Sequence, residues 1–165
     1  MEKLNLIGFH EPEKEYGFLS NWYESEFQID GRTFSSIEQY MMYKKAAVFH
    51  DEEHAQEVLN LTDARAIKEV GRKVRNYNDT VWNGIRQIIV YEGLMAKFSQ
   101  SKELQKQLLD TGDAVLAECN PGDPVWGIAM DRDNPDREYM DRWKGTNYLG
   151  FLLMMVRDKL RSGKK

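Results

Sequence analysis

Glu38 and Lys45 stand seven residues apart in a segment whose apolar spacing predicts a helix, which puts them two turns apart on one face. A carboxylate and an amine on a shared face can exchange a proton, or the amine can attack an electrophilic carbon. Each also has an ordinary use. Ser35-x-x-Glu38 reads as a capping box, in which the glutamate reaches back to a free backbone amide. Lys45 follows Lys44, as in a solvated pair. Asp123 and Trp126 fall in Asn120-Pro-Gly-Asp-Pro-Val-Trp-Gly127, a tight loop of the kind that displays functional groups, and one that Asp123 can simply organise. Trp82 and Arg86, four apart, can stack a base and hold a phosphate or ribose oxygen, or pack as a core indole under a snorkelling arginine. Arg72 belongs to a basic stripe with Arg65, Lys68 and Arg75, mostly a solvated face, in which one or two guanidinium groups suit phosphate. Asn21 lies in Phe18-Leu-Ser-Asn-Trp-Tyr23, an aromatic-rich stretch that reads as a strand edge with an amide suited to hydrogen bonding. His50-Asp-Glu-Glu-His54 matches the zinc pattern H-x-x-E-H, but Asp51 reads as the cap of a new helix and parts the two imidazoles. No metal is expected.

The elements that must position these groups follow from local signals. Glu26 to Phe34 alternates polar and apolar residues around Asp30-Gly31, the signature of a tight hairpin. A helix opens after Ser35-Ser36 and runs to about Phe49, and a second starts at Asp51, an N-cap followed by Glu52 and Glu53. Thr62 or Asp63 caps a third, with an apolar stripe of Ala64, Ile67, Gly71 and Val74. A long helix covers roughly 78–98 and a short one 102–109, stopped by Thr111-Gly112. Residues 114–119 read as a strand. The span 120–145 holds all but one of the four prolines and is expected to be loop. A last amphipathic helix covers about 147–160, with Asn147 as its cap. The expected fold is α+β: a mainly helical single domain over 1–165, core about 8–160, with a small N-terminal hairpin or sheet.

Composition bounds the function. The 165 residues, 41% of them apolar, suffice for one core, and no apolar run is long enough to span a bilayer. A net charge of −4 argues against coating duplex DNA through a global positive field. The single cysteine, Cys119, has no disulfide partner within the chain, and no signal peptide is evident, so a cytoplasmic location is expected.

The ordered set of motifs resembles the NADAR domain family, also called YbiA-like proteins. The matching pieces are Leu19-Ser-Asn-Trp-Tyr23, Ser36-Ile-Glu-Gln-Tyr-Met-Met-Tyr-Lys-Lys-Ala46, Gly71-Arg72, Trp82 with Arg86, Lys97-Phe98 and Leu108-Leu-Asp-Thr-Gly112. Glu118, Asp123-x-x-Trp-Gly127, Gly145-Thr-Asn-Tyr-Leu-Gly150 and Leu153-Met154 through Arg157 complete it. Trp22 stands where the family often has Phe, and Ala129 where a Gly commonly follows the Trp-Gly pair. The resemblance implies an N-glycosidase that hydrolyses the bond between ribose and an exocyclic amino group of a pyrimidinone-type base. The implied substrates are ribosylamino-pyrimidine intermediates of riboflavin synthesis or ADP-ribosylated guanine, the latter including ADP-ribosylated nucleic acid. It implies no cofactor. Glu38 and Lys45 match the family's Glu-x6-Lys pair. Glu38 or Asp123 then activates water, or Lys45 displaces the base as a Schiff base. Asn21, Arg72, Trp82, Arg86 and Trp126 are the implied binding residues. The alternative is a non-catalytic module that binds ADP-ribose or a related nucleotide.

Overall fold

The computed structural model describes residues 1–163. In chain order its regular elements are β1 (Leu6–Phe9), β2 (Phe27–Ile29), β3 (Arg32–Phe34), α1 (Ile37–Val48), α2 (Glu52–Leu59), α3 (Ala64–Arg72) and α4 (Asp79–Gln100). They continue with α5 (Lys102–Asp110), β4 (Val115–Glu118) and α6 (Tyr148–Ser162). The α+β, mainly helical reading holds, and the helix boundaries fall within a few residues of those expected. Backbone contacts divide the chain into two compact units, residues 21–100 and residues 1–20 with 101–165.

In the unit spanning 21–100, β2 and β3 form the expected hairpin, pairing Phe27 with Phe34. Asp30 and Gly31 take φ of 50° and 75°, the left-handed pair that a two-residue turn requires and that glycine adopts without strain. Phe27, Phe34 and Tyr40 of α1 pack as an aromatic cluster, with Phe34 and Tyr40 edge to face at 4.9 Å. Helix α1 packs against α2, α3 and α4. Its buried stripe of Ile37, Tyr40, Met41 and Ala46 therefore lies within a core that includes Val58, Ile67 and Leu94. Asp51 is buried and binds the Arg75 amide and guanidinium as well as His54 Nδ1. These partners hold its carboxyl far below the usual carboxylate range.

The capping of α1 departs from expectation by one residue. Ser36, not Ser35, is the N-cap, and its hydroxyl accepts from the Gln39 amide at 3.1 Å. Gln39, not Glu38, reaches back, its Oε1 accepting from the Ser35 amide at 2.7 Å. Burial of Ile37 and Tyr40 fixes the helix phase, and that phase turns Gln39 toward the cap. Gln39 Nε2 also donates to the carbonyls of Val58 and Leu61 at the end of α2.

In the other unit β1 and β4 pair in parallel, Leu6 opposite Val115 through Phe9 opposite Glu118. Strand β4 packs on α6, and β1 has no counterpart in the sequence reading. The stretch 18–23, expected as a strand edge, instead follows a 3₁₀ turn over Gly17–Leu19 and continues through turns, because no strand lies alongside to pair with it. Asn147 is also not the expected cap. It sits at φ 52° with no side-chain cap bond to α6. Its Oδ1 accepts from the Glu118 amide at 3.1 Å and its Nδ2 donates to the Leu116 carbonyl at 2.9 Å. The left-handed backbone aims the amide at β4, where it pairs two main-chain groups. Gly112, at φ 59°, ends α5 as foreseen. The loop beyond β4 contains only the 3₁₀ turns Pro135–Glu138 and Met140–Arg142.

Candidate functional site

Helix α1 carries Glu38 in its first turn and Lys45 in its last. Gln39 performs the capping that the sequence allotted to Glu38, whose side chain is buried at the N-terminal end of the helix. The Glu38 amide, one of the unpaired donors of the first turn, donates to the Asn21 carbonyl at 2.9 Å. Asn21 is thus fixed at the head of α1, and it is buried. Its Oδ1 is also buried, with no hydrogen-bond donor in reach among the described residues. An unsatisfied buried acceptor of this kind suits a ligand donor.

Lys45 is half-buried and donates to the Gly71 carbonyl of α3 at 2.8 Å. Its ammonium lies 4.5 Å from the centre of the Tyr77 ring and 5.8 Å from that of Trp82. Burial pushes the amine below the ordinary lysine value, and Arg72 adds to the shift. Glu38 and Asp79 oppose it. Glu38, Asp79 and Arg72 therefore all lie within electrostatic reach of the amine. Tyr77 donates its hydroxyl to Asp79 at 2.7 Å, and burial and Asp79 raise its pKa against the pull of Arg86.

Six of the sequence-derived residues thus share this unit: Asn21, Glu38, Lys45, Arg72, Trp82 and Arg86. Trp82 is buried, so its ring is a wall behind the lysine, and the exposed ring beside the amine is Tyr77. Arg72 is exposed and paired with Glu69 one turn back on α3. The rest of the basic stripe is structural in part: Arg75 holds Asp51 and Glu53, and Lys68 lies 5.8 Å over the Trp22 ring. Tyr77 and Asp79 were missed by the sequence reading, and the signal for them is their place just before and at the start of the helix that bears Trp82. Lys97 of α4, noted before only within a motif, is fully buried between the Tyr23 and Phe98 rings at 5.3 and 5.1 Å. Desolvation lowers its pKa to about 7.

Asp123 and Trp126 belong to the other unit. One Asp123 oxygen accepts from the amides of Val125 and Trp126, at 2.9 and 2.8 Å, so the carboxylate organises the turn. Trp126 packs edge to face on Tyr148 at 6.3 Å. Ala129, beyond the Trp-Gly pair, takes φ 52°, a conformation natural to glycine. His50, at φ 56°, ends α1, and Asp51 caps α2, so the two histidines do not share a helix. Among the described residues no three His, Cys, Asp or Glu side chains are grouped to hold a metal ion.

An α+β chain with its acid and amine on one buried helix finds its like among solved structures. The structure of the Escherichia coli protein YbiA, determined by NMR, superposes with a TM-score of 0.81 at 28% identity, covering 99% of this chain and 89% of that one. The NADAR domain family model matches residues 8–161, and the chain belongs to that family. N-glycosidase R617 of Acanthamoeba polyphaga mimivirus is 35% identical over 96% of this chain and 98% of its own length. N-glycosidase YbiA of Escherichia coli (strain K12) is 29% identical over 94% of this chain and 88% of its own. Riboflavin biosynthesis protein VVA0006 of Vibrio vulnificus is 33% identical over 94% of this chain, which spans 38% of that longer protein.

Proposed function

We propose that this chain is a hydrolase of N-glycosyl bonds, acting where ribose is joined to an exocyclic amino group of a pyrimidinone-type base. The observation that carries the reading is the helix α1 itself, which holds a half-buried amine of lowered basicity within the field of a buried glutamate. The names of the relatives support the glycosidase class, and one of them is named for riboflavin biosynthesis. Ribosylamino-pyrimidine intermediates and ADP-ribosylated guanine, free or in nucleic acid, share the reacting unit and are the proposed substrates. A cytoplasmic setting belongs to the same reading, and no helix among the described residues is long and apolar enough to cross a membrane.

In the proposed mechanism the glycosylamine nitrogen lone pair expels the ring oxygen, which takes a proton from solvent, giving an open-chain iminium at C1. Neutral Lys45 adds to C1 through its nitrogen lone pair. Glu38 takes the proton released from the lysine and returns it to the departing amino group, so the C1–N bond to the base breaks as a Schiff base to Lys45 remains. Water then adds to C1, and Glu38 receives its proton and passes it to the lysine nitrogen. The lysine leaves as a free amine while the new hydroxyl returns a proton to solvent and the sugar becomes an aldehyde. Asn21 Oδ1 accepts a hydrogen bond from the base or ribose, and Arg72 and Arg86 serve a substrate phosphate.

The test is hydrolysis of a ribosylamino-pyrimidine and of ADP-ribosylated guanosine, read as free reducing sugar. Lys45→Ala and Glu38→Gln are expected to fold and to lose at least about 100-fold in kcat, the scale of general acid–base catalysis. Borohydride added during turnover is expected to leave a sugar adduct on Lys45. A folded, fully active Lys45→Ala protein removes the lysine route. Tight ADP-ribose binding without any sugar release identifies a binding module instead.

A further inference from the structure

The unit made of residues 1–20 and 101–165 contains a cavity of about 450 Å³ that none of the residues assigned above lines. It opens at the carboxyl ends of the parallel strands: His10 directly follows β1 and Cys119 directly follows β4. That is the end of a parallel pair at which ligands commonly bind. Arg137 lies against β1. Its Nη1 approaches the backbone of residue 8 so closely that a Cβ there would lie 2.6 Å from it, and 2.8 Å from the Cys119 sulfur. A side chain at residue 8 would displace the guanidinium from this place.

The guanidinium is half-buried, and its hydrogen bond goes to the Cys119 thiol. Burial raises the thiol's pKa, so the sulfur is neutral and a weak acceptor. The ion pairs of the segment go elsewhere, Arg132 to Glu15 and Arg142 to Asp136, and none among the described residues involves Arg137. A partly buried guanidinium whose hydrogen bond goes to a neutral thiol gains from an anion that can fill its fork. Lys14, Arg132 and His10 line the same cavity. The facing carboxylates are Glu11 and two exposed aspartates, of which Asp131 already accepts the Asp133 amide at 3.0 Å.

We infer that this cavity binds a phosphate group carried by a small molecule, with Arg137 as its principal ligand and Lys14, Arg132 and His10 as further donors. The volume falls in the range of small-molecule sites and exceeds what inorganic phosphate alone fills, so a phosphorylated metabolite is the class of ligand that fits. The inference is independent of the glycosidase reading.

Pyrophosphate is the probe, titrated into the whole protein by calorimetry. Saturable binding is expected, weakened at least about tenfold by Arg137→Gln, partly restored by Arg137→Lys, and unchanged by Lys106→Gln, a charge loss elsewhere in the same unit. No saturation by about 10 mM, or equal loss in Arg137→Gln and Lys106→Gln, overturns the site. Should Arg137→Gln not fold, NMR of the native protein decides. Pyrophosphate must shift the His10 ring and Cys119 amide resonances, and shifts confined to other residues overturn it.

Discussion

In the proposed mechanism Lys45 attacks as a free amine, and its surroundings lower its pKa. Burial beside Trp82 and Tyr77 disfavours the ammonium, while Glu38 and Asp79 temper the effect. Since only the free amine attacks carbon, kcat/KM is expected to rise with pH and level off below the ordinary lysine value of 10.5. A profile still rising there places the attacking group elsewhere. Tyr77 offers the exposed ring next to this amine, held by its bond to Asp79. If the substrate base stacks on it, Tyr77→Ala raises KM about tenfold and Tyr77→Phe leaves KM near the native value, since stacking is worth about 1–3 kcal/mol per base. Steady-state kinetics on both variants separates the ring from its hydroxyl.

Among the elements, the head of α1 and the loop after β4 show how local geometry assigns roles. Ser35-Ser36-Ile-Glu-Gln contains two overlapping capping patterns, and the packing of Ile37 and Tyr40 selects the one that uses Gln39. Glu38 is thereby placed, buried, in the first turn of the helix. Ala129 keeps a left-handed backbone despite its methyl group. Ala129→Gly is expected to raise stability by about 1 kcal/mol, measured by urea unfolding, because the strain of a Cβ at positive φ exceeds the entropy lost on fixing a glycine. Asn147 pairs an amide and a carbonyl of β4 that have no other partners in the sheet. Asn147→Ala leaves both unpaired in a buried site and is expected to cost about 2–4 kcal/mol by the same measurement.

For the whole molecule, Lys97 couples stability to pH. Its folded pKa is about 7, below the ordinary 10.5, so between these values the unfolded chain binds the extra proton. Stability therefore rises with pH across that window, by up to about 1.4 kcal/mol per unit from this group, and the gain is lost as pH falls toward 7. Lys97→Met is expected to flatten the slope of urea-unfolding free energy between pH 7 and 10; an unchanged slope assigns it to other groups. The sequence by itself determined the helices, the Asp-Gly hairpin, the placement of Glu38 and Lys45 on one helix and the family, because periodicity, caps and an ordered motif set are local or linear signals. It did not reveal β1, whose four residues form a strand only by pairing with β4 more than a hundred positions away. Nor did it reveal Tyr77 and Asp79 beside Lys45, the unsatisfied Asn21 oxygen, or Arg137 against Gly8. Burial, charge proximity and close backbone approach arise between distant segments, and tertiary packing alone decides which side chains share a dry, charged space.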